Sequence, residues 1–317
     1  MKIVFFGTPE FSSVILEELI KNNLKPILVV TAPDKPVGRK QIMTSPAVKA
    51  TAERYNIPCL QPESLDLPEF KLVLANSQPD LIALSAYGPP FLTSAILSLP
   101  SFGCLNAHPS LLPAYRGASP IPGAILANEK ETGVTIIRLS EKIDQGDILA
   151  QERMTIAPAD TTQTLGAKLA RLGGQLLVKT ILALVQGRIK PQPQPEKSPT
   201  PYCRQLKKED GQIDWAKPAD YLSRQVRAFD PWPGTHALWG KKVLKILQVR
   251  VTNEMPAPAK PGFVFLTKDR SLAVQTSQGS LVLESVQPEG KKAMAGSDFL
   301  RGHQDILGQI LCSATLI

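Results

Sequence analysis

The stretch Phe102 to Gly117, FGCLNAHPSLLPAYRG, constrains the fold more than any other part of the chain. It begins as a buried strand: Phe102, Cys104 and Leu105 are apolar, and Gly103 lets a neighbouring backbone come close. At Asn106-Ala107-His108-Pro109 the apolar run stops. Proline has no N–H for a ladder, so the spacing predicts that the strand ends near His108. An amide and an imidazole then stand at the carboxyl end of a strand, the place where open α/β sheets bind their ligands. Pro113, Gly117 and Pro120 hold the following loop in an extended path, and a helix is predicted only from about Pro120.

The chain before and after this stretch fits an α/β fold with a doubly wound, mostly parallel sheet. Lys2 to Phe6 reads as a buried strand, Gly7 as a turn, Thr8 as a cap and Pro9 as a first helical residue. A helix to about Asn22 follows, with Phe11, Val14, Ile15 and Leu19 on one face, and Pro26 to Thr31 is the next strand. This is a β-α-β unit without the G-x-G-x-x-G of dinucleotide sites. Asp80 to Tyr87 is another buried strand, stopped by Gly88-Pro89-Pro90. Thr132 to Leu139 is the next, and Ile148 to Ile156 is an antiparallel edge strand beyond the loop Ser140 to Asp147. Gln163 to Val185 is a long helix, ended by Gly187. One segment breaks the pattern. Ala32 to Pro46 has three prolines and no apolar period, and reads as a loop made basic by Lys35, Arg39, Lys40 and nearby Lys49 against Asp34.

The segment Pro191 to Pro201 holds five prolines in eleven residues. It is expected to be extended and semi-rigid, which sets a boundary. The expected division is a first domain over 1–189, a Pro-rich linker over 190–206 and a second domain over 207–317. After Lys207 a short helix, Ala219 to Ala228, precedes short strand-like runs punctuated by glycine and proline. These predict a small antiparallel barrel. A chain of 317 residues can bury two such cores.

Composition excludes several classes. No run is long and apolar enough to cross a membrane, and Ile3 to Phe6 is too short for a signal-peptide core, so a cytoplasmic protein is expected. Cys59, Cys104, Cys203 and Cys312 are scattered, without C-x-x-C or zinc spacing. They are expected to be mostly buried thiols in a reducing compartment, and no metal is expected. The net charge of +8 favours an anionic partner without identifying it. Residues 207–317 carry 15 Lys plus Arg against 11 Asp plus Glu, and the basic residues cluster at Lys241-Lys242, Lys245, Arg250, Lys291-Lys292 and Arg301. Trp232 and Trp239 lie among them, as platforms or as core.

Asn106 offers a hydrogen-bond donor of fixed direction, and His108 a group that gains or loses a proton near neutrality. Chemistry that builds negative charge on a carbonyl oxygen uses such a pair. Asp144-Gln145-Gly146-Asp147 alone reads as a turn; beside an imidazole, its carboxylate would orient the ring and favour its protonated form. Ser110 lacks the G-x-S-x-G elbow of a nucleophile.

N-A-H-P-S-L-L-P-A-Y-R-G, Asn106 to Gly117, followed by Asp144-Gln145-Gly146-Asp147, resembles the formyltransferases that use 10-formyltetrahydrofolate. R-A-F-D-P-W-P-G, Arg227 to Gly234, and Q-P-E-G-K-K-A-M, Gln287 to Met294, resemble the C-terminal domain of the methionyl-tRNA formyltransferases. The resemblance covers nearly the whole chain. It implies a Rossmann-like formyltransferase domain followed by an OB-like barrel. It implies Asn106, His108 and Asp144 as catalytic residues. It places the folate co-substrate, 10-formyltetrahydrofolate, against Ser110, Leu111, Leu112 and Pro113 and the turn at Tyr87 and Gly88, where Pro89-Pro90 departs from the family's pattern. It makes the basic loop with Lys35, Arg39 and Lys40 an insert that contacts the acceptor end of tRNA. Lys241, Lys242, Lys291 and Lys292 then become phosphate contacts on the barrel. The reaction implied is transfer of a formyl group to the amino group of initiator methionyl-tRNA, with Asn106 and His108 on the oxyanion and Asp144 holding His108 and ordering a water. A monomer is expected. Two other readings stand beside it: a formyltransferase for a small amine such as glycinamide ribonucleotide or an amino-sugar nucleotide, and a tRNA-binding module with a decayed catalytic domain. The intact trio argues against the second, and the basic insert and second domain against the first.

Overall fold

A computed structural model describes residues 1–37, 41–89, 91–256 and 260–312. Two compact units are present. The first holds residues 1–120, 130–156 and 165–204. The second holds 121–129, 157–164 and 205–317.

In the first unit, β1 (Ile3–Gly7) is buried at every residue, as a strand covered on both faces must be. It feeds α1 (Glu10–Lys21), which turns Ile15, Leu16 and Leu19 inward. The chain returns in β2 (Leu28–Val30), parallel to β1. Thr8 does not cap α1, because its hydroxyl donates to Tyr87 O at 3.0 Å and ties the first strand's exit to another strand's end. Next come β3 (Lys35–Val37), β4 (Ile42–Thr44), α2 (Ala47–Arg54), β5 (Cys59–Leu60), α3 (Pro68–Ser77) and β6 (Leu81–Ser85). The segment read as a loop therefore contains an antiparallel hairpin, β3 with β4. Ile42 and Met43 on β4 are each 62% exposed, so β4 packs no face and leaves no apolar period to read.

The chain continues with α4 (Ser94–Leu97), β7 (Cys104–His108), α5 (Pro120–Leu126), β8 (Glu131–Arg138), β9 (Ile148–Thr155) and α6 (Thr162–Val185); of these, α5 after Pro120 belongs to the second unit, and α6 to the first from Leu165 on. The sheet order is β5-β2-β1-β6-β7-β8-β9. Pairing is parallel from β5 to β7, then antiparallel through β8 to the edge strand β9. Because β2 lies on one side of β1 and β6 on the other, the winding reverses between β1 and β6, and a ligand crevice opens at such a switch point. Val4, Phe6, Leu74, Ile82, Ile96 and Cys104 share one core there.

In the second unit the named strands all pair antiparallel. It consists of α7 (Ala219–Ala228), β10 (Thr235–Trp239), β11 (Lys242–Thr252), β12 (Val264–Leu266), β13 (Leu272–Gln275), β14 (Ser280–Pro288), β15 (Met294–Ala295) and α8 (Gly296–Gly302). Its sheet runs β10-β11-β14-β13-β12, with β15 on β14. Near the chain's end, Ile310 pairs with Phe263 beside β12 and Cys312 pairs with Leu238 on β10. One short segment thus bridges the two ends of the curled sheet. Leu222, Val226, Leu244, Ile246, Val274 and Phe299 fill its core. The two outlying pieces are held by backbone carbonyls: Arg224 Nε donates to Leu126 O (3.0 Å), and Arg227 Nη1 donates to Asp160 O (2.9 Å).

Candidate active site

The carboxyl ends of the parallel strands carry buried polar atoms without hydrogen-bond partners among the described residues: Thr31 Oγ1 after β2, Ser85 Oγ on β6 and Asn106 Oδ1 on β7. Buried polar groups are nearly always paired, so three at the carboxyl ends of β2, β6 and β7, on either side of β1, mark a place built for a ligand. Asn106 is 7% exposed.

His108 ends β7 and is 4% exposed. Its Nε2 lies 3.0 Å from Tyr115 O. A carbonyl can only accept, so Nε2 carries a proton. Its Nδ1 lies 3.5 Å from Asp144 Oδ1, a contact longer than a good hydrogen bond. The other carboxylate oxygen, Asp144 Oδ2, accepts the Gly117 N–H at 2.9 Å. Asp144 is buried in a turn whose neighbours Ser140 to Ile143 and Gln145 are exposed. Its φ of +53° is a left-handed conformation that Asp tolerates better than most residues. Gly146 completes the turn because a Cβ there would meet Arg138 O at 1.7 Å. The structure therefore brings Asn106, His108 and Asp144 to one end of the sheet, and the imidazole and carboxylate into contact.

The run Ser110 to Pro113 is scaffolded from behind. Thr135 Oγ1 on β8 donates to Ser110 O (2.7 Å) and accepts the Leu112 N–H (3.0 Å). Gln151 Nε2 on β9 donates to Leu112 O at 2.7 Å. The Ser110 hydroxyl is buried and donates to Ala114 O at 2.7 Å. Leu112 is buried, while Leu111 and Pro113 are partly exposed. Tyr87 is 7% exposed, packs edge-on against Phe6, and has its hydroxyl pKa raised by burial. Gly88 has φ +90° and open space where a Cβ would be.

The Pro-rich segment lies on this site. Ser198 Oγ donates to Pro113 O (2.8 Å), and Thr200 Oγ1 accepts the Tyr115 N–H (2.6 Å). Cys203 N–H donates to Arg116 O at 2.8 Å and Ala118 N–H to Cys203 O at 2.7 Å. Sequence reasoning assigned these residues no site contact, and composition carried no signal for it, since most of the partners are backbone groups.

Of the basic residues, Lys35 is exposed on β3, and Arg39 and Lys40 lie outside the described residues, as does Pro90. Lys49 does not add free charge to the segment, because its Nζ sits 2.9 Å from Asp34. Hydrogen bonds from Gln61 and Lys49 hold the Asp34 carboxyl below its usual pKa. On the barrel, Leu244 on β11 pairs with Pro288 on β14, and Val243 and Glu289 exchange contacts. That register brings the exposed pairs Lys241-Lys242 and Lys291-Lys292 to the same end of the barrel. Arg250 is matched by Asp269 and Glu284, and Arg301 by Asp298. Trp239 packs on Phe299 and His303, whereas Trp232 is 57% exposed.

The four cysteines are free, but only Cys104 is fully buried. Cys59 and Cys203 are partly covered and Cys312 is exposed, because the last two lie in surface-running segments. Among the described residues no three His, Cys, Asp or Glu side chains are grouped to hold a metal ion, and no helix is long and apolar enough to cross a membrane.

Comparison with known proteins bears on this arrangement. Residues 1–181 match the family "Formyl transferase", and residues 205–304 match "Formyl transferase, C-terminal domain". A methionyl-tRNA formyltransferase of Halalkalibacterium halodurans is 42% identical over 304 residues, covering 95% of both chains. One of Myxococcus xanthus is 41% identical over 303 residues, covering 96% of this chain and 95% of its own. Among solved structures, WlaRD, a sugar 3N-formyl transferase crystallised with dTDP and 5-N-formyl-THF, aligns with a TM-score of 0.63 at 20% identity over 92% of this chain and 99% of its own. HypX from Aquifex aeolicus in complex with tetrahydrofolic acid aligns at 0.60 and 18% identity, over 95% of this chain and 47% of its own. These two likenesses speak for the fold.

Proposed function

The chain belongs to the methionyl-tRNA formyltransferase family, and we propose that Asn106, His108 and Asp144 carry its reaction, the transfer of a formyl group from 10-formyltetrahydrofolate to the free amino group of initiator methionyl-tRNA. The observation that carries this reading is the buried Asn106 side chain, whose Oδ1 has no partner among the described residues, beside the His108–Asp144 contact at the carboxyl edge of the sheet.

The co-substrate fits this edge. The orphaned polar atoms of Thr31, Ser85 and Asn106 await partners, and the partly exposed Leu111 and Pro113 with the Tyr87-Gly88 turn offer apolar surface and open backbone. When bound there, the donor supplies the formyl carbonyl that the amine attacks. Asn106 donates a hydrogen bond to that carbonyl oxygen as it gains charge. His108 lends it the Nε2 proton that Tyr115 O now accepts, since a charged oxygen is the stronger acceptor. Asp144 keeps the ring oriented while its own second oxygen is fixed by Gly117. The attacking α-amino group, with a reference pKa of about 7.7 to 8.0, must shed protons as its bond to the formyl carbon forms; Asp144 with an ordered water relays them, and one goes to N10 of the folate as the bond between N10 and the formyl carbon breaks and tetrahydrofolate leaves. Folate contacts are assigned to Tyr87, Gly88, Ser110, Leu111, Leu112 and Pro113. For Ser110 the contact is one of shape, since its hydroxyl is bonded inward.

The chemistry is assigned to residues 1–189, and the holding of tRNA to 207–317, across the segment 190–206. Convergence of Lys241-Lys242 with Lys291-Lys292 supports a phosphate-binding end of the barrel and favours tRNA over a small amine as acceptor. Lys35, Arg39 and Lys40 are assigned to the acceptor end of the tRNA. The protein is proposed to act as a monomer in the cytoplasm.

The test is formylation by three single variants, Asn106→Ala, His108→Ala and Asp144→Ala. Each should lose turnover by a factor on the order of 10² to 10³, while binding of the folate co-substrate weakens far less. Near-normal turnover in all three would overturn the assignment.

A further inference from the structure

We propose that Gln194, in the Pro-rich segment, is a positioning residue for the His108–Asp144 pair and acts by cross-linking the two loops that build it. Its side-chain amide is used at both ends. Nε2 donates to Asp144 O at 3.0 Å and to Gly146 O at 2.7 Å. Oε1 accepts from Arg116 Nε at 3.2 Å and from Arg116 Nη2 at 2.9 Å. The orientation of the amide is forced. Turned over, its NH2 would face guanidinium donors and its oxygen two carbonyls, leaving every contact repulsive.

Arg116 is 5% exposed, and its guanidinium also donates to the carbonyls of Glu196 (3.1 Å) and Pro195 (2.8 Å). The backbone on either side of Arg116 is what touches the pair. Tyr115 O holds His108 Nε2, and the Gly117 N–H holds Asp144 Oδ2. Gln194 therefore joins the turn that presents Asp144 to the loop that fixes both His108 and Asp144. The turn needs such a tie, because Asp144 sits buried and left-handed in an otherwise exposed stretch. The His108–Asp144 distance of 3.5 Å lies at the edge of contact, so a small drift of either loop breaks it. Gln194 itself needs no contact with either substrate to do this.

The inference rests on the catalytic reading of His108 and Asp144, and the test separates the two. In the full chain, Gln194→Met keeps length and removes both ends of the amide. Gln194→Glu keeps an acceptor for Arg116 and removes the donors to Asp144 O and Gly146 O. Both variants should lower kcat by roughly 10- to 100-fold, the scale of a small misplacement, with KM for both substrates changed by less than about twofold. The chain has only three histidines, so imidazole 1H–15N spectra resolve them. The His108 signals should move in both variants, and those of His236 and His303 should stay. Arg116→Lys should reproduce the loss, and it carries the test should the Gln194 variants not fold. Unmoved His108 signals, or a raised KM with wild-type kcat, would overturn the proposal. Moved signals with wild-type kcat would uphold the clamp and overturn the catalytic reading of the pair.

Discussion

Replacing Asn106 by alanine should separate function from stability. If its amide is aimed at a developing oxyanion, its loss removes roughly 2.7 to 4 kcal/mol of transition-state stabilisation, or about 10² to 10³ in kcat. The folded protein has no reason to suffer. Asn106 Oδ1 is buried and unpaired among the described residues, and such a group destabilises by about 1 to 3 kcal/mol. Its removal recovers that amount, less about 1 kcal/mol for lost packing of a short side chain. The melting transition of the first unit should hold or rise by a few degrees, at about 2 to 4 °C per kcal/mol for a unit of this size. Thr135 is the control. Its hydroxyl is 0% exposed and serves Ser110 O, Leu112 N–H and the Gln151 amide. Thr135→Val takes their partner from Ser110 O and the Leu112 N–H, while Gln151 keeps Leu112 O, and should lower the transition by at least about 4 °C, from about 1 to 3 kcal/mol for each of the two orphaned groups. The assay is single-turnover formylation with a thermal melt on the same samples. A clear fall in melting temperature for Asn106→Ala, with kcat within about threefold of wild type, would refute the reasoning.

Neutralising Lys241, Lys242, Lys291 and Lys292 together should weaken tRNA binding and flatten its salt dependence by up to about 3.6 in the log–log slope, from about 0.7 to 0.9 per phosphate contact; filter binding across a salt series reads it. Replacing Arg39 and Lys40 should instead lower the single-turnover rate of saturating tRNA, since their segment is assigned to the reacting end. Gly146→Ala must displace the Asp144 turn, because the new Cβ would meet Arg138 O at 1.7 Å, and should reduce kcat while the folate co-substrate still binds by fluorescence titration. Burial pushes the Cys104 thiol up to about 12, so mass mapping after alkylation near about pH 8 should find Cys104 unmodified while the exposed Cys312 reacts.

The site was legible where side-chain type encodes it. A buried apolar run halted by Asn106-Ala107-His108-Pro109 can only be a strand delivering polar groups to a sheet edge, and β7 ends at His108. The resemblance, not the spacing, pointed to Asp144 from a turn that composition alone could not distinguish. Other features were hidden for physical reasons. Gln194, Ser198 and Thr200 meet the site largely through backbone groups, which have no signature in a residue pattern, so a Pro-rich segment read only as a spacer. The β3–β4 hairpin is exposed on β4 and shows no period. The two lysine pairs, fifty residues apart, meet through the β11–β14 register, which no local window contains. The short elements α2, α3, α4 and β5 carry too few turns or residues for a periodic signal.

The most direct test of the central claim is the product itself. The full chain is incubated with 10-formyltetrahydrofolate and initiator tRNA charged with methionine. The tRNA is then deacylated and the released amino acid is analysed by mass spectrometry. The account predicts N-formylmethionine at a rate that glycinamide ribonucleotide or an amino-sugar nucleotide, offered as acceptor under the same conditions, does not approach. Unmodified methionine from the charged tRNA, with formylation of one of the small amines, would contradict it.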